Sequence, residues 1–424
     1  MSEPTATPWR HSTRVMLWVL LVVYVFNFLD RQIVNILAEP IRKDLGLSDT
    51  QIGLMTGLAF ALFYTFLGLP IARFADRPAT DRGRLIAMAL AIWSLMTALC
   101  GLTTNFVQLL LARIGVGVGE AGCTPAAHSL IADRVPAERR ASAMAFYALG
   151  IPLGSLLGMV IGGYLADVIG WRTAFLLVGA PGVVLALVVL ALVRDPPRAT
   201  HASRGLAPQG LLSAMKELAG SSTFMLVLAA GSACSFLSYG KTTWATIFFQ
   251  RSFGLSPGEV GFWFGLWGGL ASMGGTFLGG WLADRYGKTD RRHVVTAPAI
   301  GMAVAVPIAF AAYQASDWRV ALALIMLPNV LNSLYYGPVF SSVQGLVAQR
   351  HRAVASAMLL FGQNLLGLGL GPLFFGMLSD WLKPEFGAES VRYVLYGAAF
   401  LGLVPAALFW ILRPRLHAEL DRQT

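Results

Sequence analysis

The sequence predicts an all-α membrane protein with twelve transmembrane helices, arranged as two six-helix bundles related by pseudo-twofold symmetry. Low charge content, recurring apolar runs and an internal repeat support this fold class. Charged residues make up 13% and apolar residues 56% of the 424 positions, whereas a soluble domain has roughly 25% charged residues. Apolar runs of about 18–25 residues recur along the chain, and each is long enough to cross a bilayer.

The internal repeat consists of motifs that return at matched places in the two halves of the chain. Gly46–Gly53 is matched by Gly254–Gly261, and the pair Asp76-Arg77 is matched by Asp284-Arg285. Duplicated helical halves in a membrane are typical of secondary transporters, whose substrate site lies where the halves meet. The repeat therefore predicts a transporter as well as a fold.

Hydropathy and capping signals locate the twelve helices. Ser48 with Gln51 and Ser256 with Glu259 have the spacing of capping boxes, which marks the starts of helices two and eight. The predicted helices cover residues 15–37, 52–74, 84–103, 106–132, 141–165, 172–193, 222–247, 258–282, 293–313, 319–347, 355–381 and 391–412.

The domain organisation predicted from these helices has five parts. They are an N-terminal tail (1–14), an N-terminal six-helix bundle (15–193), a linker (194–221), a C-terminal six-helix bundle (222–412) and a C-terminal tail (413–424). A short amphipathic helix is expected in the linker at 211–218. Because Lys and Arg are concentrated on the side of both tails and the linker, these parts are predicted to be cytoplasmic.

Nucleic-acid binding, catalysis and metal binding are not supported by the sequence. The net charge of +10 comes from basic residues scattered singly through short loops, without a basic face. The three cysteines lie in apolar segments and lack metal-ligand or disulfide spacing. Because no Walker-type loop or other enzyme motif is found, no enzyme activity, cofactor, metal or nucleic-acid partner is expected.

A carboxylate beside arginine recurs at the cytoplasmic ends of helices two and eight. Such a group either latches one face of the bundle by pairing with a neighbouring helix, or only sets the topology through its charge. The matched positions in the two halves favour a cytoplasmic latch. Its residues are Asp76, Arg77, Asp284 and Arg285.

Helix five carries a stripe of glycines, one every four residues from Gly150 to Gly162. A stripe of small residues lets another helix approach closely. The pattern therefore predicts close helix packing, and it also suits a surface on which helices rock between two states.

Five ionisable residues lie well inside the predicted helices: Asp30, Arg31, Arg113, Glu120 and Lys241. Charges in a membrane are expensive, so they usually face a cavity or one another and mark substrate or proton paths. The alternative for any one of them is a purely structural ion pair. Arg113 and Glu120 are seven residues apart, which places them on one face of helix four about 10 Å apart.

These residues divide into two predicted roles. Asp30 and Glu120 are the proton-coupling candidates, because burial and a nearby arginine act in opposite directions on the proton affinity of a carboxylate. Arg31, Arg113 and Lys241 are the candidates for binding an anionic head group. Polar side chains of the second half either complete the substrate site or form hydrogen bonds between helices; they are Asn332, Tyr336, Gln363 and Asn364.

With its twelve helices, paired Asp-Arg motifs and glycine stripe, the chain resembles the major facilitator superfamily over essentially its whole length. Narrower motifs are similar to the spinster branch of that superfamily: Asn27–Arg31 (NFLDR), Arg113–Ala121 (RIGVGVGEA), Leu130–Asp133 (LIAD) and Arg194–Arg198 (RDPPR). The short loops and minimal termini are similar to those of a bacterial member, and they indicate a multi-pass protein of a bacterial inner membrane.

The resemblance implies more about mechanism than the residue types alone. Spinster-like proteins are proton-linked transporters associated with sphingosine-phosphate or lysophospholipid. The resemblance therefore implies proton coupling through Asp30 and Glu120, with Arg31 and Arg113 near the substrate in a roomy, partly apolar cavity. It also implies a monomer, since members of this superfamily usually work as monomers.

The sequence thus predicts a proton-coupled transporter that moves an amphipathic anionic or zwitterionic lipid-like substrate by alternating access. The main alternative is a proton symporter of a small organic anion, such as a sugar acid or an aromatic acid, that uses the same charges. A non-transporting membrane sensor or scaffold is a third hypothesis. A lipid substrate predicts an apolar flank to the cavity, whereas a small acid predicts a closed polar one.

Overall fold

The computed structural model describes residues 13–75, 77, 79–193, 195, 211–348 and 351–421, and this part contains helices and no strand. Helices of the first half are α1 (Thr13–Leu45), α2 (Asp49–Gly53), α3 (Ala59–Ala75), α4 (Arg82–Cys100), α5 (Phe106–Glu120), α6 (Cys123–Arg134), α7 (Arg140–Ala148) and α8 (Gly150–Leu192). Those that follow are α9 (Leu211–Gly220), α10 (Ser222–Ser252), α11 (Pro257–Val260), α12 (Leu266–Gly287), α13 (Thr296–Gln314), α14 (Trp318–Ser333), α15 (Tyr336–Leu346), α16 (Arg352–Gly362), α17 (Gly371–Phe386), α18 (Ser390–Leu401) and α19 (Leu403–Asp421). Short π-helical segments at Leu54–Leu58, Gly261–Gly265 and Gln363–Leu370 connect some of them.

The observed helices account for the twelve predicted ones. Nine stretches of the described residues are long and apolar enough to cross a membrane. Two of these, Ser142–Leu192 with 51 residues and Val354–Glu419 with 66, are each long enough for two crossings of about 20 residues. Inside α8, Gly170 has a φ of 80°, which glycine tolerates because it has no Cβ, and this break separates helices five and six. Predicted helix eight corresponds to α11 and α12.

Predicted helices four and ten are each interrupted, where the sequence analysis expected a continuous helix. Pro125 is the third residue of α6, and Pro338 is the third residue of α15. Proline has no amide hydrogen to bond the carbonyl four residues earlier, so a helix breaks just ahead of it. The same defect therefore occurs at matched positions of the two halves.

Two predictions about helix starts are confirmed. Ser48 Oγ accepts from the Gln51 amide at 3.1 Å, and Gln51 Oε1 accepts from the Ser48 amide at 2.9 Å, which completes the capping box. The short helix expected at 211–218 is α9, which begins at Leu211 and ends at Gly220.

The glycine stripe of α8 packs against α1, as predicted. A Cβ added to Gly154 would lie 2.3 Å from the Val25 carbonyl oxygen, and one added to Gly158 would lie 2.7 Å from the Leu29 carbonyl oxygen. Since no side chain fits in such a space, the two helices can approach only because these positions are glycine. The rocking role of this surface stays a prediction.

The contacts group the described residues into two units. Unit 1 draws its residues from Met1–Leu47, Ala59–Arg204 and Pro257–Phe262. Unit 2 draws its residues from Ser48–Leu58, Gly205–Ser256 and Trp263–Thr424. In unit 1, α1 and α4 pack against α8; in unit 2, α13 packs against α14, and α10 packs against the π-helical segment that begins at Gln363. The five-part domain organisation stays a prediction.

Candidate functional site

Unit 1 contains four of the five charged residues predicted inside the membrane, on two neighbouring helices. α1 and α5 carry them in pairs: Asp30, Arg31, Arg113 and Glu120. Glycines allow α5 to approach the helices beside it, because a Cβ at Gly117 would lie 2.6 Å from the Phe60 carbonyl oxygen and one at Gly119 would lie 2.7 Å from the Trp93 amide nitrogen. The alternating glycines of the Arg113–Ala121 motif therefore position the charges of α5 inside unit 1. We call the four side chains the unit 1 charge cluster.

Arg31 is paired with Glu120 in this cluster. Arg31 Nε donates to Glu120 Oε2 at 2.7 Å. The guanidinium carbon lies 4.9, 4.9 and 4.6 Å from the ring centroids of Phe28, Phe60 and Tyr64. A guanidinium is planar and weakly hydrated, so it is stabilised by aromatic faces as well as by a carboxylate. The Arg31 side chain is 11% exposed and that of Glu120 is 0% exposed, so only the arginine of this pair reaches accessible surface.

Arg113 is buried without a hydrogen bond to any described residue. It is 1% exposed, and its Nε and Nη1 atoms are buried and have no partner. Its guanidinium carbon lies 5.6 Å from the centroid of Phe60, the ring that also faces Arg31. One aromatic ring is thus close to both guanidinium groups.

Each carboxylate of the cluster uses only one of its two oxygens. Asp30 Oδ2 accepts from Thr97 Oγ1 at 3.1 Å, while Asp30 Oδ1 and Glu120 Oε1 are buried without a hydrogen bond. Asp30 is within electrostatic range of both Glu120 and Arg113. The two predicted proton-coupling residues are therefore neighbours, and each retains an unfilled acceptor.

Two further polar side chains border the carboxylates. Asn27 lies beside Glu120, and Trp93 lies beside Asp30. Neither makes a hydrogen bond of normal geometry, since both amide atoms of Asn27 and the Nε1 of Trp93 are buried and unpartnered. Trp93 was not singled out in the sequence, because tryptophan in an apolar helix has no signal that separates a polar contact from core packing.

The cluster can exist in more than one arrangement of charges. The charges of the two carboxylates and the two guanidinium groups cancel when all four groups are ionised. Protonation of one carboxylate leaves the cluster with a net charge of one positive unit. Buried polar atoms are usually hydrogen-bonded. The unfilled donors and acceptors of this cluster can therefore form new hydrogen bonds within it when its charge changes. Among the described residues, no group of three or more His, Cys, Asp or Glu side chains could hold a metal ion.

The fifth charged residue, Lys241, lies in unit 2 on α10. Tyr336, another predicted site residue, stacks on Tyr335 with ring centroids 4.4 Å apart, and Cys234 is within electrostatic range of Lys241 and of both tyrosines. Lys241 and Tyr336 are therefore both within electrostatic range of Cys234.

The predicted amide residues of unit 2 are less closely associated with these two residues. Asn332 and Asn364 are half-buried and have no described hydrogen bond to Lys241 or Tyr336. Gln363, in contrast, is buried, and its Nε2 has no hydrogen-bond partner.

The predicted latch residues lie at exposed helix ends. Asp76 is outside the described residues. Arg77 is exposed, with its guanidinium carbon 5.5 Å from the Phe74 ring centroid. Asp284 and Arg285 are exposed near the end of α12, and Arg285 lies over the ring of Trp281 at 5.9 Å. Their role as a latch stays a prediction.

A buried ion pair in unit 2 was not anticipated from the sequence. Arg251 Nη1 and Nη2 donate to Asp49 Oδ2 and Oδ1 at 2.8 and 2.6 Å. Ser379 Oγ adds a hydrogen bond to Asp49 Oδ2 at 2.7 Å. The predicted helices two and seven begin at 52 and end at 247, so both charges were assigned to loops. The usable signal was the capping box at Ser48, which places Asp49 inside the helix.

Arg82 precedes predicted helix three, which begins at 84, so it belongs to the loop charges on which the predicted orientation rests, but it is buried at 1% exposure. Its Nε and Nη2 donate to the two carboxylate oxygens of Asp195 at 2.6 and 2.7 Å, and its Nη1 donates to Asp133 at 2.5 Å. These acidic residues belong to two of the motifs, RDPPR and LIAD, that carried the family resemblance. A structural ion-pair network is therefore part of what those motifs encode.

The family model described as Major Facilitator Superfamily matches residues 20–365 and, in a second match, 231–424. A curated relative, an MFS-type efflux pump of Mycolicibacterium smegmatis, is 36% identical over 417 residues, with 97% of this chain and 96% of the relative covered. Protein spinster homolog 1 of Xenopus tropicalis is 26% identical, with 99% and 83% covered.

A solved structure extends the similarity to three dimensions. It is the crystal structure of a bacterial homologue of the human lysosomal transporter spinster, described as inward-facing and unoccupied. That protein is 30% identical, 98% of this chain and 99% of that chain are covered, and the TM-score is 0.88. Sequence and fold are thus similar over nearly the full length.

Proposed function

We propose that this chain, a spinster-like secondary transporter that belongs to the major facilitator superfamily, couples proton movement to transport of an amphipathic anionic or zwitterionic lipid-like substrate. The major facilitator fold and a multi-pass membrane location are the premises. Proton coupling, the substrate class and the residues that carry them are the proposal. We further propose that it works as a monomer in a bacterial inner membrane, with both termini in the cytoplasm.

The observation that carries the proposal is the incomplete hydrogen bonding of the unit 1 charge cluster. Buried charges in a membrane protein are costly unless they are paired and fully bonded. In this cluster, Asp30 Oδ1, Glu120 Oε1 and two nitrogens of Arg113 lack hydrogen bonds. A site built only for stability has no reason to retain such atoms, whereas a site that binds and releases a proton needs alternative partners.

A proton step follows from the contact between Arg31 and Glu120. The ionised Glu120 holds Arg31 through a charged hydrogen bond of 2.7 Å. Protonation of Glu120 removes its charge, and the contact weakens because the attraction between two opposite charges is lost. Arg31 then binds another anion, such as the head group of the substrate, more readily than it does while Glu120 is ionised. Substrate binding and proton binding are coupled in this way through one arginine.

An amphipathic substrate suits the surroundings of Arg31. Three aromatic rings, those of Phe28, Phe60 and Tyr64, lie within 5 Å of its guanidinium carbon. A cation beside aromatic faces offers both a charged contact and apolar surface. This combination fits a substrate that has a charged head and an apolar body better than it fits a small, fully polar acid.

The latch formed by Asp76, Arg77, Asp284 and Arg285 is proposed to stabilise one state of the transport cycle.

The test is uptake by purified protein in liposomes under an imposed pH gradient. Labelled lysophosphatidylglycerol, lysophosphatidylcholine and a sugar acid serve as alternative substrates. We expect gradient-dependent movement of a lysolipid. Asp30→Asn and Glu120→Gln should each reduce gradient-driven uptake by roughly 10-fold or more, which corresponds to about 1.4 kcal/mol of lost coupling.

The matched control is Glu385→Gln, an identical chemical change at an exposed position, which should leave uptake unaltered. Movement of the sugar acid instead of the lysolipids would favour the small-anion symporter. Wild-type activity that persists in both Asp30→Asn and Glu120→Gln would show that proton coupling lies elsewhere. No movement of any substrate would leave the sensor or scaffold hypothesis as the better account.

A further inference from the structure

The middle of α10 contains a lysine that has neither a hydrogen bond nor an ion pair with any described residue. Lys241 follows the buried Gly240 and precedes the buried Thr243 and Trp244. An ammonium group in a membrane span is expensive unless it faces a polar partner or a water-filled space. The cations Arg31, Arg82 and Arg251 each form an ion pair with a carboxylate, so Lys241 differs from them and resembles Arg113, which has no hydrogen bond to a described residue.

Cys234 lies along the same side of α10 as this lysine. Gly231, Cys234 and Lys241 have the i, i+3 and i+10 spacing that lies along one side of a helix. Cys234 is within electrostatic range of the Lys241 ammonium and of the stacked rings of Tyr335 and Tyr336. A thiol and a cation therefore lie along one side of α10, about 10 Å apart along its axis.

Two polar atoms near the Gly231 end of α10 also lack a hydrogen bond. Gln363 Nε2 is buried without a hydrogen bond, and a Cβ at Gly231 would lie 3.5 Å from it. Ser232 Oγ, on the next residue of α10, is also buried without a partner. Neither of these side chains is a carboxylate, and neither are Cys234, Tyr335 and Tyr336, so none of them supplies a negative charge to pair with Lys241.

We propose that Lys241 binds the anionic oxygens of the transported substrate, a phosphate or a carboxylate, and thereby selects substrates that carry a negative charge. The inference rests on the proposed transport function and adds the residue that reads the substrate's charge. A cation without a carboxylate partner fits a group that offers several acceptor oxygens. The ammonium group binds such an anion as a compact point charge with three donors.

The arginines of unit 1 are less suited to this role in the state described. Arg31 donates to Glu120 at 2.7 Å, and Arg113 is 1% exposed. Both arginines face carboxylates, so a substrate anion would compete with a charge that is already present. Lys241 has no such competitor among the described residues. Lys241 therefore selects the charge of the substrate in this state, whereas Arg31 becomes available to an anion only when Glu120 is protonated.

The experiment compares Lys241→Met and Lys241→Arg in liposome uptake, with three labelled substrates. These are lysophosphatidylglycerol, a sugar acid and an uncharged monoacylglycerol, so the phosphate and carboxylate sources of the anion are distinguished. Lys241→Met should raise the KM for the anionic substrate by about 10-fold or more, as expected for loss of a hydrogen bond to a charged group. It should leave the KM for the uncharged lipid nearly unchanged. Lys241→Arg should retain most of the affinity for the anion.

Lys216→Met, which removes an exposed lysine of α9, is the matched control and should have no effect on any KM. A charge-restoration variant keeps the test informative if Lys241→Met folds poorly. In Lys241→Cys with Cys234→Ala, an aminoethyl methanethiosulfonate adds back an ammonium group and should restore affinity, whereas a neutral methyl reagent should not.

The outcomes of this experiment separate the two proposals. An unchanged KM for the anion in Lys241→Met, with active wild-type protein, would overturn the role of Lys241 and leave the transport function intact. Equal losses for charged and uncharged substrates would also overturn it, because they would indicate a structural role. Absence of any uptake by the wild-type protein would instead contradict the proposed function itself.

Discussion

Two buried ion pairs in this protein differ in how completely their atoms are bonded. In unit 2, Arg251 binds both oxygens of Asp49, and Ser379 donates to the same carboxylate. In unit 1, Arg31 binds one oxygen of Glu120, and the other oxygen has no hydrogen bond. Both carboxylates are 0% exposed, so burial alone does not distinguish them. The two carboxylates differ in whether the second oxygen accepts a hydrogen bond.

The difference separates stability from function. A fully bonded buried pair has one favourable arrangement, and any change in its charge is strongly opposed. An incompletely bonded cluster loses less when a proton binds, because its groups can exchange partners. We therefore expect the pair of Asp49 and Arg251 to fix the structure of unit 2, and the pair of Arg31 and Glu120 to change during transport. Variants at each pair test this difference.

The largest effect on stability is expected for Arg251→Met. It leaves the Asp49 carboxylate buried without its cation, and breaking a buried pair in this way costs about 3–5 kcal/mol of unfolding free energy. The measurement is the apparent Tm of the protein in detergent, with chemical unfolding where it is reversible. The double variant Asp49→Asn with Arg251→Met should recover part of the lost unfolding free energy, since no charge is then buried without its partner.

Arg172→Met provides the comparison for that measurement. Arg172 pairs with Asp44, and the two side chains are 40% and 45% exposed, so the pair is worth about 0–1 kcal/mol. A loss for Arg251→Met no larger than that for Arg172→Met would mean that the buried pair does not hold unit 2 together.

The sequence predicted the members of the unit 1 charge cluster but not their pairing. Charges inside apolar helices are conspicuous, so Asp30, Arg31, Arg113 and Glu120 could be recognised one by one. Whether Arg31 binds Glu120 or another carboxylate depends on the side-chain conformation and on the approach of α5, which glycine spacing suggests only in part.

The pair of Asp49 and Arg251 was missed for a different reason. The two residues are 202 positions apart, and each lies just beyond an apolar run rather than inside it. Hydropathy places the end of a helix where apolar residues end, whereas the structure extends α10 to Ser252. Charges in such terminal turns are read as loop charges, although packing buries them. The same limit explains why Arg82 was interpreted as a topology signal.

A second, smaller effect concerns how Asp30 and Glu120 act together. If they share one proton-dependent network, Asp30→Asn with Glu120→Gln should reduce gradient-driven uptake no further than the worse single variant. Coupled residues show such non-additivity, whereas independent sites add. Liposome uptake at a fixed pH gradient measures it. Neither variant should lower the apparent Tm as much as Arg251→Met, because asparagine and glutamine keep an acceptor oxygen. Additive losses in uptake would mean two separate proton sites.

The smallest effects are expected where an aspartate of one helix accepts from amides at the start of another helix. In unit 2, the Asp380 oxygens accept from the Asp49 and Thr50 amides at 3.1 and 2.7 Å. In unit 1, Asp167 Oδ2 accepts from the Gly258 amide at 2.9 Å, and the residue before Gly258 is Pro257, which has no amide hydrogen. Asp380 and Asp167 occupy matched positions of the sequence repeat.

Conversion of Asp380 to asparagine tests the value of this contact. Asparagine keeps one acceptor oxygen but loses the charge at the helix start, which is worth about 0.3–1 kcal/mol. Because each Asp380 oxygen accepts from a different amide, Asp380→Asn also loses one of these two hydrogen bonds, and its cost should be about 1–2 kcal/mol. The apparent Tm of the variant, measured beside that of the wild-type protein, should therefore fall, but by less than that of Arg251→Met. An unchanged apparent Tm would show that this contact adds nothing to the stability of unit 2.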